Sequence, residues 1–176
     1  MKRILIASLL CILLPLGAFA AAGLYGGMDI YYTSLVRPAD IVAMDTAGLN
    51  LADFAFGGEA RFIIDPFWGS ALALYSPGDT NLPHHTDIFL DAGLGFTLGI
   101  VHAGLGIGPN FGLEFGNGAT QLIRTGANLR VTGDIVLGPV LLGLNWISEI
   151  EFTRASIADA FMNPYGKLGV SLLFGL

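Results

Sequence analysis

Apolar and polar residues alternate with a period of two along most of this chain, which predicts β-strands that carry different chemistry on their two faces. Over residues 53–63 one parity holds Phe54, Phe56, Gly58, Ala60 and Phe62, and the other holds Asp53, Ala55, Gly57, Glu59 and Arg61. Over 87–98 the apolar set is Ile88, Leu90, Ala92, Leu94, Phe96 and Leu98, against Asp87, Phe89, Asp91, Gly93, Gly95 and Thr97. The pattern is clearest over 123–137, where Arg124, Asn128, Arg130, Thr132 and Asp134 share a parity that contains no apolar side chain. Residues 140–152 place Val140, Leu142, Leu144, Trp146, Ser148, Ile150 and Phe152 opposite Asn145, Glu149 and Glu151. The last run sets Leu168, Val170, Leu172 and Phe174 against Lys167, Gly169 and Ser171. Two weaker runs, 23–33 and 102–116, follow the same rule, with Asp29, His102 and Glu114 on the polar side. Pro109 falls on the apolar parity of the second of these and, lacking an N–H donor, predicts a bulge there. Residues 67–75 are apolar on both parities and read as a strand without an assignable face.

The breaks between these eight segments are of two kinds. Asp65-Pro66, Gly99-Ile100 and Gly138-Pro139 are tight-turn signals, whereas residues 34–50, 76–86, 116–122 and 154–164 are longer and richer in polar and turn residues. Short and long connections alternate strictly, as they do in transmembrane barrels. The runs 98–105 (LGIVHAGL) and 137–144 (LGPVLLGL) match in register at both central turns, an echo of a repeated hairpin unit.

Composition decides which face is outside. The chain is 53% hydrophobic and only 12% charged, against about 25% charge in a soluble domain. A soluble barrel would need its charge on the exterior, and there is too little to coat one. After residue 22 no stretch approaches the ~18–20 apolar residues of a membrane helix, and 25 glycines interrupt the chain. A chain that must satisfy every backbone group within lipid then has the closed barrel left to it. The fold class is therefore all-β: a transmembrane, antiparallel, up-and-down barrel of eight strands with its charge inside. Phe54, Phe62, Tyr75, Phe115, Phe152, Tyr165 and Phe174 lie near strand ends, where interfacial aromatic girdles form.

The N-terminus has a different character. Lys2 and Arg3, an apolar run from Ile4 to Leu16 and small residues at Ala18, Ala20 and Ala22 form the pattern of a secretory signal peptide. The expected division is residues 1–22 as signal peptide, cleaved after Ala20 or Ala22, and 23–176 as barrel. The single cysteine, Cys11, lies within the leader, so neither a disulfide nor thiol chemistry is expected of the mature chain. The formal net charge is −6 and becomes more negative when Lys2 and Arg3 leave, which argues against nucleic acid as a partner.

In architecture the chain resembles the small eight-stranded outer-membrane barrels, among them the OmpA transmembrane domain, OmpX and the OmpW-like proteins. The resemblance implies a multi-pass protein of the bacterial outer membrane, with outer-membrane lipid as its solvent and barrel-insertion machinery and periplasmic chaperones as biogenesis partners. Such chains end in an aromatic residue; this one ends Phe174-Gly175-Leu176, and Phe174 stands in that role. The implied function is a structural or surface-interaction role with four external loops and a loop partner still to be identified. The alternative is OmpW-like transport of a small apolar molecule. Lipid-modifying barrels pair a strand histidine with a nearby serine; His102 is followed by Ala103-Gly104-Leu105, so no local nucleophile supports an enzyme.

Candidate chemistry therefore concentrates on the inward parity. Glu59, Arg61, Asp91, Arg124, Arg130, Asp134, Glu149, Glu151 and Lys167 form the expected lumen ion-pair network, since buried charge must be paired. Arg130, Glu59 and Asp91 map to mid-strand and are the candidates for a plug, while Arg124, Glu149, Glu151 and Lys167 map to the outer ends. Glycines at 93, 95, 104, 106 and 108 leave a bare stretch of inner wall. His84-His85, near Asp79, is read as a solvated loop pair. No metal or cofactor is expected, and GLGIG (104–108) lacks the helix that a dinucleotide loop requires.

Overall fold

A computed structural model describes residues 22–36, 53–77, 84–116, 119–151 and 166–176; the predicted signal peptide and most of the four long connections lie outside them. The strands are β1 (Ala22–Val36), β2 (Phe54–Ile64), β3 (Phe67–Ser76), β4 (His84–Leu98), β5 (Val101–Gly116), β6 (Ala119–Leu137), β7 (Val140–Glu151) and β8 (Gly166–Gly175). Each pairs antiparallel with its sequence neighbours, and β8 returns to β1, so the sheet closes as an eight-stranded barrel. Closure removes the sheet edge, which is what lets a β-structure sit in lipid.

The three tight turns are two-residue hairpins, closed by Ile64↔Phe67, Leu98↔Val101 and Leu137↔Val140. Gly99 and Gly138 have φ of 64° and 61°. At the third turn Pro139 holds its own φ near −65°, so positive φ followed by negative φ makes a type II′ turn, whose twist suits a hairpin.

The exterior is apolar. Every Asp, Glu, Lys and Arg with a described side chain is buried or half-buried. The exposed described positions are apolar or small apart from His84, Thr120, Gln121, Thr125 and the Tyr75 phenol toward the loop end. Phe62, Phe67, Phe96 and Phe174 are exposed near the turn end, and Tyr75 and Phe115 near the loop end, as two aromatic belts require. Phe54 is half-buried against Tyr32, with ring centroids 5.8 Å apart. Phe152 and Tyr165 fall outside the described residues.

Four details differ from the sequence expectations. His84 and His85 are not in a loop: they open β4, where His84 faces Phe115 and His85 faces Ser76 and Glu114. Residues 119–122 are likewise strand, because β6 continues alongside β5 to Gly116↔Ala119. Pro109 produces no bulge. The ladder to β4 lapses between Phe89↔Asn110 and Ala92↔Ile107 and resumes in the same register, since a missing donor removes a bond without adding a residue. The register shift lies further along, where Gly112↔Arg124 is followed by Leu113↔Leu122 and Ile123 is the extra residue. Finally, Trp146 and Ser148 are buried despite their outward parity. The Trp146 indole lies over Gly166, 2.5 Å from where a Cβ would stand.

Candidate functional site: the packed lumen

An eight-stranded barrel encloses an interior about wide enough for side chains to fill, and among the described residues that lumen is the interior. Its two ends are more apolar than the parity pattern implied. Tyr25, Ile63, Trp68, Leu141 and Leu173 cluster toward the turn end, with Val136 packed against them. Tyr31, Ala55, Leu72, Leu74, Phe89 and Ile147 form a second buried cluster. β3 contributes Trp68, Leu72 and Leu74 inward while presenting Ala71 and Ala73 outward, which is why its sequence shows no alternation.

Two guanidiniums organise the charged core. Arg61, on β2, donates through Nε and Nη2 to the two carboxylate oxygens of Glu59 at 2.7 and 2.8 Å. Its Nη1 reaches Asp134 at 2.6 Å and Thr132 at 3.0 Å on β6, and Nη2 reaches Asn145 on β7 at 3.0 Å. All five N–H donors of a planar fork are thereby used. Arg130, projecting from β6, donates to Glu59 at 2.9 Å, Ser70 at 2.8 Å, Asn145 at 2.8 Å and Asp91 at 3.4 Å. Glu59 is thus shared by both arginines, and bonds run between β2, β3, β4, β6 and β7. Asn128 donates to Asp91, and His102 Nδ1 lies 2.9 Å from Asp134 Oδ2.

The glycine wall is covered. The Trp68 indole lies against β5 so closely that a Cβ at Gly104 or Gly106 would stand 2.6 Å from it. Its Nε1 donates to the Leu94 carbonyl at 3.2 Å. The guanidinium carbons of Arg61 and Arg130 lie 5.9 and 5.8 Å from its ring centroid, within cation–π range. Beside it, the His102 ring fills the space over Gly95, where a Cβ would stand 2.5 Å from Nε2. That nitrogen has no hydrogen-bond partner among the described residues.

A second charged group stands further toward the loop end. Arg124 contacts Asp87 at 2.5 Å and Glu149 at 3.0 Å, and Lys167 contacts the same two carboxylates at 2.7 Å each. The result is a ring of alternating sign drawn from β4, β6, β7 and β8. Lys167 Nζ also lies 5.7 Å over the Phe89 ring of the apolar cluster. The structure therefore brings Glu59, Arg61, Asp91, Arg130 and Asp134 into one group and Arg124, Glu149 and Lys167 into another. The Glu151 side chain lies outside the described residues. Asp87, set on the inward parity by the sequence though outside the expected network, joins the outer ring, and the inner group also takes in the neutral Ser70, Asn128, Thr132, Asn145 and Ser171. All but Ser70 sit on a readable inward parity, which was the available signal. At the rim Tyr75 Oη and His84 Nδ1 are 2.9 Å apart with stacked rings, and His85 lies 3.9 Å from Asp87. Asp79 is outside the described residues.

No family model matches the sequence, and no curated protein matches it. Among solved structures, the N-terminal β-barrel domain of Pseudomonas aeruginosa OprF is similar, with a TM-score of 0.58 at 11% identity over 88% of this chain and 97% of that one. Neisserial surface protein A (NspA) aligns with a TM-score of 0.49 at 15% identity, over 89% of this chain and 99% of that one. At such identities the likeness to the OprF domain establishes the fold alone, a small closed eight-stranded barrel.

Proposed function

We propose that this protein is an integral β-barrel of the bacterial outer membrane that acts as a closed, non-enzymatic anchor and presents its long connections for surface interaction. The apolar exterior and buried charge support placement in lipid. The observation that carries the closed state is the lumen cross-section, where Arg61 and Arg130 meet the Trp68 indole on the turn-end side of the charged core and the three are bonded to five different strands. Water and ions would have to break that network to pass.

The same observation weighs against the OmpW-like reading. An apolar cargo beside the glycine wall would have to displace the Trp68 indole. Outer-membrane lipid, the insertion machinery and periplasmic chaperones belong to this proposal as partners, and residues 1–22 as its export signal. Planar-bilayer recording on the refolded chain tests the closed state: no steady porin-like conductance is expected, and stable open channels in the native protein would overturn it.

A further inference from the structure

The mid-lumen group holds more negative charge than its cations balance. Asp29, Glu59, Asp91 and Asp134 are all buried, with Arg61 and Arg130 as the fixed cations among them. Glu59 contacts both arginines, Asp91 contacts Arg130, and Asp134 contacts Arg61 and His102. Whatever charge His102 carries beside Asp134, at least one carboxylate is in excess. Among the described residues Asp29 is the one of the four with no cationic contact.

Its surroundings sharpen the imbalance. Asp29 is 1% exposed, and its Oδ1 accepts from the Ser171 hydroxyl while Oδ2 has no partner. The Ser171 oxygen also lies 3.4 Å from Glu59 Oε2 and accepts from Asn145 Nδ2 at 2.7 Å. A hydroxyl carries one hydrogen, so two carboxyl groups converge on a single donor. A bare carboxylate in such a place pays a large desolvation cost that only a nearby positive charge offsets. We infer that the barrel holds one bound unit of positive charge, a proton or a monovalent cation such as Na⁺, at Asp29 between its free Oδ2 and Glu59. The groups facing it are Glu59 from β2, Arg130 from β6, Ser171 from β8 and the Tyr31 phenol from its own strand, with Arg61 and Asn145 behind them, bonded to Glu59 and Ser171.

The test compares Asp29→Asn with Asp91→Asn in the full chain refolded into lipid vesicles, by urea midpoint. In choline buffer, where no sodium binding adds to the native chain, Asp29→Asn replaces an already neutralised group with a neutral isostere, so its midpoint should equal or exceed that of the native chain. Asp91→Asn removes a carboxylate that contacts Arg130 and should lower the midpoint clearly. Two measurements on the native protein identify the bound charge without relying on a variant's folding. A protonated-carboxyl band in the infrared spectrum, absent from Asp29→Asn, identifies a proton. A midpoint that rises with Na⁺ over choline at constant ionic strength, and does so only with Asp29 intact, identifies sodium. A midpoint for Asp29→Asn lowered as far as that of Asp91→Asn, or neither signature in the native chain, would overturn the inference; steady channels in the native protein would count against the closed lumen and leave the bound charge standing.

Discussion

The shared carboxylate of Glu59 offers the sharpest probe of the lumen, through a double-mutant cycle with Arg61. In Arg61→Met five donors disappear at once: Asp134 keeps His102 and Thr132, Glu59 keeps Arg130, and Asn145 loses one of its two donors. Removing one partner of a buried ion pair costs about 3–5 kcal/mol, because the surviving charge remains out of water. Glu59→Gln leaves Arg61 with Asp134 and Arg130 with Asp91, so its cost is of the same order. The double variant deletes one charge of each sign, and the remaining pairs are still in contact. Its loss should therefore fall short of the sum of the singles by about 1–3 kcal/mol, the range for residues in one network. Urea unfolding in lipid vesicles, followed by tryptophan emission and by the mobility of unheated samples in electrophoresis, supplies all four corners. Trp68 sits 5.9 Å from the Arg61 guanidinium carbon, so with Trp146 replaced by Phe in all four proteins the emission reports on the site itself. Additive singles, or an Arg61→Met variant as stable as the native chain, would refute the view that these groups act as one plug.

Other outcomes follow from the same geometry. Ile107 is 67% exposed on the middle of β5, and Ile107→Arg should cost about 2–4 kcal/mol in vesicles, the range for a cation facing lipid near the midplane; a neutral effect would contradict lipid contact. Trp68→Ala should cost about 3–5 kcal/mol and raise the single-channel leak, since it uncovers the glycine wall; an unchanged leak in a folded variant would show that the arginines close the lumen alone. Mass spectrometry of the membrane-inserted protein should find a new N-terminus after Ala20 or Ala22, and retention of Met1 would remove the case for export.

Most of the barrel was legible because it is inside-out. A strand between lipid and a polar lumen must alternate, and over 123–137 the chemistry of the two sides differs at almost every step. Legibility failed where the contrast failed. On β3 both sides are apolar, since Trp68, Leu72 and Leu74 fill the lumen while Ala71 and Ala73 face outward. The lumen accepts large apolar side chains because glycines on the opposing wall make room for them, and that complementarity between Trp68 and Gly104 or Gly106 spans strands and leaves no trace in a local period. Strand ends were blurred for a related reason: His84, His85 and residues 119–122 look polar enough for a loop, yet ladder bonds to their neighbours carry the strands onward. The charged residues could be assigned to a face but not to partners. Glu59 and Arg130 are brought to 2.9 Å by barrel closure, across 71 positions of sequence.

On this structure the apolar face of the barrel should be solvated by lipid along its whole middle. Spin labels placed singly at the outward positions 123, 125, 127, 129, 131, 133 and 135 of β6, leaving the lumen untouched, measure this directly through collision with oxygen, which concentrates in the bilayer, and with a water-soluble nickel chelate. Oxygen access should peak near Leu129 and Val131, and nickel access should rise only toward the strand ends. High nickel access at every position would show that this face meets water, and would contradict its solvation by lipid.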